Sequence, residues 1–260
     1  MNTLQEFSGS WALILGGSSG LGLATAKKLA ANGMNICIVH RDRKSNLDAF
    51  NKEIKEIESN NVVTKTFNKD ALTTETIEEV LKSIKNKSIK VLVHSIAKGS
   101  VKPMYSENTE TLSKQDFTIT LNAMALSLYD WSKALINQNK FSSNARIIGF
   151  TSEGNTKAWR YYGAVSAAKA TLEALMRNMA LEFAPLGITT NCLQAGVTET
   201  PSFKMIPGSD RLSKFAKKRN PFNKLTTPQD VANVVYLLCK DEASWINGTV
   251  IKVDGGESLQ

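Results

Sequence analysis

Tyr162 and Lys169, near the two ends of the stretch YYGAVSAAK, are a phenol and an ammonium seven residues apart. On a helix turning about 100° per residue, seven steps return to nearly the same azimuth, so the spacing predicts one shared face. Tyr161 falls about 80° off that face and is expected to pack elsewhere. A phenol near a lysine is a hydrogen-bond donor whose anionic character the cation favours, and such a donor is useful where negative charge develops on an oxygen. The position four before the lysine is Val165. Relative to a donor there, one at 162 stands about 4.5 Å farther along the axis, at roughly 1.5 Å per residue. A donor so displaced suits a charge that emerges on an oxygen lying that much farther along the helix than one served from position 165. Tyr162 read blandly is an amphipathic helix residue half-buried at a subunit contact. Ser152 is either a second polar contact to substrate or a plain strand-end hydroxyl.

A second chemistry-bearing stretch is LGGSSGLG, Leu15 to Gly22. Glycines at 16, 20 and 22, after an apolar run and before a helical pattern, let the backbone turn tightly, approach a pyrophosphate and pack the helix against a sheet. Ser18, Ser19 and Leu21 complete that cradle, and a dinucleotide is expected in it. Farther on, VHRDRKS places Arg41 and Arg43 about Asp42. Arginine at this point accommodates a ribose 2′-phosphate and an acidic residue the 2′-hydroxyl, so the pair favours NADPH, with NADH left open by Asp42. Two solvent-facing arginines are the plain alternative.

These residues need a frame to hold them. The chain has 260 residues, 42% hydrophobic and 22% charged, as expected for one α/β domain spanning 1–260. No run reaches the roughly 20 apolar residues of a membrane span, and the start MNTLQEFSGS lacks signal-peptide order, so a cytoplasmic protein is expected. Cys37, Cys192 and Cys239 are too scattered for a disulfide framework, and with only His40 and His94 beside them no metal site is expected. The net charge of +8 permits an anionic partner. Part of it lies in Lys204, Arg211, Lys214, Lys217, Lys218, Arg219 and Lys224, a basic patch or simply a solvated helix face. No aromatic or helix-turn-helix pattern supports nucleic-acid binding.

Strand-like apolar runs occur at 11–15, 35–39, 61–67, 90–95, 145–151, 189–193 and 249–253, alternating with helical patterns such as LATAKKLAANG, which Gly33 is expected to close. About seven strands apolar on both faces, alternating with helices, predict a doubly wound parallel sheet with helices on both faces. The longest irregular stretch runs from Gly196 to about Gly208.

With these pieces in order, the sequence resembles the short-chain dehydrogenase/reductase superfamily, which has a single-domain Rossmann-type fold. The resemblance implies adenine contacts at Asp70 and Ala71, cofactor lining by Ser95, Ile96 and Ala97, an active-site Asn122 in LNAMAL, and a segment over the nicotinamide at Gly196, Val197 and Thr200. Lys169 would hold the nicotinamide ribose. Ordinary members carry Tyr-x3-Lys; the Tyr162-x6-Lys169 interval and VHSIA, Val93 to Ala97, are instead similar to the divergent branch that includes bacterial enoyl-acyl carrier protein reductases. Ser152 stands where one subgroup has a second tyrosine, so the chain resembles those retaining serine.

The resemblance implies an NADPH-dependent enoyl-thioester reductase of fatty acid biosynthesis, acting on acyl carrier protein or coenzyme A thioesters, and a homotetramer. A loop and helix over about 197–220, with Phe203, Met205, Ile206 and Phe215 among basic residues, would cover the substrate. Two other readings stay open: a reductase of another carbonyl or alcohol substrate, and a catalytically idle nucleotide-binding subunit.

Overall fold

Short runs of aliphatic and β-branched residues give seven strands among residues 6–260, which the computed structural model describes. The first five residues of the start segment lie outside the described residues. The strands are β1 (Trp11–Leu15), β2 (Asn35–His40), β3 (Thr64–Asn68), β4 (Ile89–His94), β5 (Phe141–Ser152), β6 (Ile188–Ala195) and β7 (Val250–Val253). They pair in the order β3-β2-β1-β4-β5-β6-β7, every pair parallel. The order reverses between β1 and β4, where Leu15 stands opposite His94, and a crevice opens outside the carboxyl ends of the strands at such a switch point.

Nine α-helices connect the strands within the same residues: α1 (Gly20–Ala30), α2 (Lys44–Glu58), α3 (Thr74–Ser83), α4 (Lys114–Leu121), α5 (Ser127–Asn137), α6 (Gly163–Glu182), α7 (Pro201–Lys204), α8 (Ser209–Arg219) and α9 (Pro228–Cys239). A π-helical turn, Asn122–Leu126, joins α4 to α5. Alternate residues of a strand point to opposite faces. Thus Ala12 and Ile14 pack with Leu29 of α1 and Val235 of α9, while Leu13 and Leu15 pack with Trp131 of α5 and Leu172 of α6. Gly33, at φ +88°, closes α1 with paired bonds from Gly33 N–H to the Ala30 carbonyl (2.9 Å) and from Met34 N–H to the Leu29 carbonyl (3.1 Å), a Schellman arrangement.

Three expectations change. The edge strands β3 and β7 are not apolar on both faces; each has one covered side, and β3 starts at Thr64 because Asn61 takes a left-handed turn (φ 59°). β5 begins at Phe141, ahead of the apolar run, with a register shift opposite β4. The irregular stretch after β6 contains α7, whose start is capped by Thr200. No described helix is long and apolar enough to cross a membrane.

Candidate active site

A cleft of about 630 Å³ opens at the carboxyl ends of the central strands. Of the expected dinucleotide residues, Gly16, Ser19, Gly20, Leu21, Ser95, Ile96, Ala97, Lys169, Gly196, Val197 and Thr200 line it. The glycine turn is built by close approach. Gly16 sits at φ +82°, and a Cβ there would stand 2.6 Å from the Ser95 carbonyl oxygen; a Cβ on Gly22 would strike the carbonyl of Gly16. Gly22 is therefore a packing residue behind the lining, and Ser18 is also outside it. At the start of α1, Ser19 makes no side-chain capping bond and the first turn holds no acid. The first N–H groups of a helix have no intrahelical acceptor and favour an anion, so the turn fits the pyrophosphate of a dinucleotide. Gly16→Ala combines positive-φ strain with a backbone collision. It should lower stability by about 1–3 kcal/mol and weaken dinucleotide binding at least tenfold, checked by denaturant unfolding and fluorescence titration.

Arg41, Arg43, Asp70 and Ala71 are not in this lining. Arg41 and Asp70 follow β2 and β3 and pair with each other at 2.8 Å, and Arg43 is an exposed residue capping α2. Ala71 is buried, and its carbonyl accepts a 2.8 Å bond from Trp131 Nε1 of α5.

The structure brings Tyr162, Ser152 and Lys169 to one wall of the cleft, by a route other than the shared helix face. α6 starts at Gly163; Tyr162 is its cap, preceded by Tyr161 in a left-handed conformation (φ 68°). The turn aims the phenol, and the helical azimuth argument applies only from Gly163 onward. Tyr161 is 38% exposed. The Tyr162 hydroxyl lies 3.1 Å from Ser152 Oγ, and its ring stacks obliquely on Trp159 with centroids 5.3 Å apart. Gly154 makes room, since a Cβ there would run into the tyrosine ring. Burial pushes the phenol's pKa up, with the Ser152 bond opposing, so the hydroxyl stays a neutral donor. Val165 lines the cleft behind it.

Lys169 is buried, and its Nζ donates to the Phe150 carbonyl at 2.6 Å. Burial brings its pKa down to about 8 from the ordinary 10.5, while Cys192 and Glu173 oppose the fall. Glu173, one turn on, accepts from Thr151 and Asn155. His94, at the end of β4, meets Ser127 Oγ at 2.8 Å through Nε2; burial, with the Lys169 charge adding to it, drops its pKa to about 3 and keeps it neutral. If Lys169 acts as the cation, kcat/KM should fall as pH rises through about 8, since that ratio reports groups of the free enzyme. Stability should move oppositely. The folded state penalises the protonated amine, so this group adds stability as pH rises from about 8 to 10.5. Denaturant unfolding across that window, with Lys169→Met as the reference lacking the slope, checks the sign.

Asn122 is not brought to the site. It starts the π-turn as an exposed residue outside the lining, to which the same turn contributes Met124 instead. Phe203, Met205 and Ile206 do line the cleft, whereas Phe215 is 61% exposed beside Arg219. Sequence reasoning missed Glu153 and Glu257, both lining residues, and Arg219, which joins them. Glu257 Oε2 also accepts the Val197 N–H at 3.0 Å. Only the adjacency of Glu153 to Ser152 was a cue; nothing local marks Arg219 among its basic neighbours.

The comparisons with known proteins agree with this geometry. A family model described as enoyl-(acyl carrier protein) reductase matches residues 16–258. An NADPH-dependent aldehyde reductase-like chloroplastic protein of Arabidopsis thaliana is 27% identical over 258 residues, covering 96% of this chain and 94% of that one. The NADH-linked enoyl-[acyl-carrier-protein] reductase of Aquifex aeolicus is 31% identical over 169 residues, 65% of this chain and 62% of the relative. The crystal structure of an enoyl-[acyl-carrier-protein] reductase (NADH) from Aquifex aeolicus superposes with a TM-score of 0.80 at 26% identity, covering 98% of both chains. A glycine turn at the switch point, a Tyr-Ser-Lys wall with a buried phenol and amine, and a match over nearly the whole chain lead to one assignment: this protein belongs to that reductase family, in the short-chain dehydrogenase/reductase superfamily, and is a nicotinamide-dinucleotide-dependent oxidoreductase.

Proposed function

We propose that the protein reduces the α,β double bond of a trans-2-enoyl thioester, with NADPH as reductant. A bound nicotinamide dinucleotide supplies the hydride. The observation that carries the reading is the Tyr162 hydroxyl, buried beside Ser152 at 3.1 Å, with Val165 in the position four before Lys169. Tyr162 donates a hydrogen bond to the thioester oxygen as charge develops there, and Ser152 orients the phenol. Lys169 keeps a positive charge behind the pair and binds the ribose of the dinucleotide. Met124, Val165, Phe203 and Ile206 exclude water along the acyl path.

Arg41 supports NADPH, although the Aquifex relative is named for NADH. Exposed Lys214, Lys217 and Lys218 on α8 support a substrate carried by an acidic acyl carrier protein in fatty acid biosynthesis. Exposed Leu126 and Tyr129 on the π-turn and α5 support the homotetramer, and three free buried cysteines fit a reducing cytoplasm.

The aldehyde reductase-like relative favours a carbonyl substrate as the second reading. One spectrophotometric comparison separates the readings. NADPH oxidation with crotonyl thioester and not with acetoacetyl thioester supports the proposal; the reverse selects the carbonyl reading. Dinucleotide binding with no acyl, carbonyl or alcohol substrate turned over is the result expected of an idle subunit.

A further inference from the structure

The carboxyl end of β2 carries charges of both signs, and the structure sorts them. Asp42 is the residue type that accepts a bond from a ribose 2′-hydroxyl and repels a 2′-phosphate. Its Oδ2 lies 2.7 Å from Nδ1 of His40, in a pair whose side chains are 3% exposed for His40 and 20% for Asp42. The imidazole is itself fixed against Phe50, with ring centroids 4.3 Å apart. The backbone of Asp42 is held as well: its N–H donates to Asn68 Oδ1 at 2.9 Å, and Asn68 Nδ2 donates to its carbonyl at 3.2 Å. Arg41 is different. Its side chain is 67% exposed and tied by one ion pair to Asp70, of the exposed kind that salt and competing anions readily replace.

We propose that His40 sets the selectivity for NADPH over NADH by holding the Asp42 carboxylate inward, so that Arg41 is the charge a 2′-phosphate meets; this rests on reading the β2 end as the adenosine-ribose site. A ribose 2′-hydroxyl gains little there, because the carboxylate that would accept its hydrogen bond is turned toward the imidazole, which meets Oδ2 at 2.7 Å. A 2′-phosphate finds an exposed guanidinium whose single carboxylate partner, Asp70, it can replace, while Asp42 is turned away toward His40. His40 acts as a positioning residue and touches neither dinucleotide.

Equilibrium titration of the whole protein with NADPH and with NADH, followed by fluorescence of the reduced nicotinamide, tests this without any acyl substrate. The unsubstituted protein should prefer NADPH. Asp42→Asn should leave the ratio of the two dissociation constants within about twofold, since the carboxylate it replaces already faces the imidazole rather than the ribose. His40→Val should move the ratio at least about tenfold toward NADH, and adding Asp42→Asn to His40→Val should return it. The inference is overturned if Asp42→Asn alone shifts the ratio tenfold, because the carboxylate then already faces the ribose. It is equally overturned by a folded His40→Val protein with an unchanged ratio, or by a shift that persists in the double variant. Should His40→Val fail to fold, the twofold against tenfold outcome for Asp42→Asn decides. An unsubstituted protein that binds NADH as well as NADPH overturns this inference alone; one that binds neither removes the dinucleotide reading and the inference with it.

Discussion

Tyr162→Phe is expected to cut turnover of a crotonyl thioester by about 10²–10³-fold, while dinucleotide affinity stays within about twofold. Removal of one preorganised donor to a developing oxyanion has effects of that order. The substitution is clean, because the ring is held by packing and the hydroxyl by one polar partner. The tyrosine is 7% exposed, its ring meets Trp159, and Gly154 leaves the space in which it lies. Phenylalanine keeps all of these contacts and loses only the group that meets Ser152. The loss should therefore appear in kcat, with KM for the dinucleotide unchanged. Ser152→Ala, which leaves the donor in place but unoriented, should cost less. Single-turnover rates and fluorescence titrations give both quantities, and an unimpaired Tyr162→Phe protein would dismiss the assignment.

Arg219→Met is expected to lower stability by about 3–5 kcal/mol and to weaken dinucleotide binding as well. The guanidinium is enclosed by two carboxylates: the side chains of Arg219, Glu153 and Glu257 are 10%, 9% and 2% exposed. It bonds both oxygens of Glu153 and lies 2.7 Å from Glu257 Oε1. Removing one partner of a buried pair leaves uncompensated charge, which costs far more than the net worth of the pair. Glu257 also holds the Val197 N–H, so the loosening reaches the segment after β6. The pH dependence has a definite sign. Burial alone would raise the Glu153 carboxyl, but Arg219 and Lys157 more than offset it and hold its pKa below the usual range. In the unsubstituted protein that carboxylate thus adds stability above its unfolded pKa and loses it as pH falls through the folded value. Without Arg219, burial is opposed only by the more exposed Lys157. The gap between the two proteins should be widest near neutrality and close in acid. Denaturant midpoints at several pH values measure it, and a loss under about 1 kcal/mol at neutral pH would mean the network is solvated.

What could be read from the chain alone was whatever depends on neighbours in sequence. The glycine turn and the alternation of strands and helices were legible, because strand burial and a strand-turn-helix cradle leave their marks within a few residues; Tyr162, Ser152 and Lys169 were singled out by spacing and by the family resemblance, and all three line the cleft. The cleft lining was legible for Gly16, Ser19, Gly20, Leu21 and Ser95 to Ala97 for the same reason. Tertiary structure decided where side chains of known type point. Tyr162 reaches Ser152 from a helix cap rather than a helix face, because Tyr161 turns left-handed and Gly154, on a different element, leaves room. Asn122 fits a pattern and faces outward, while Arg219 looks like one of several surface cations and is the one drawn between Glu153 and Glu257. Asp42 reads as a free acid until His40 and Asn68 are seen to hold it. Each of these outcomes depends on groups tens of residues apart in sequence, or on the local path of a loop, and residue spacing records neither.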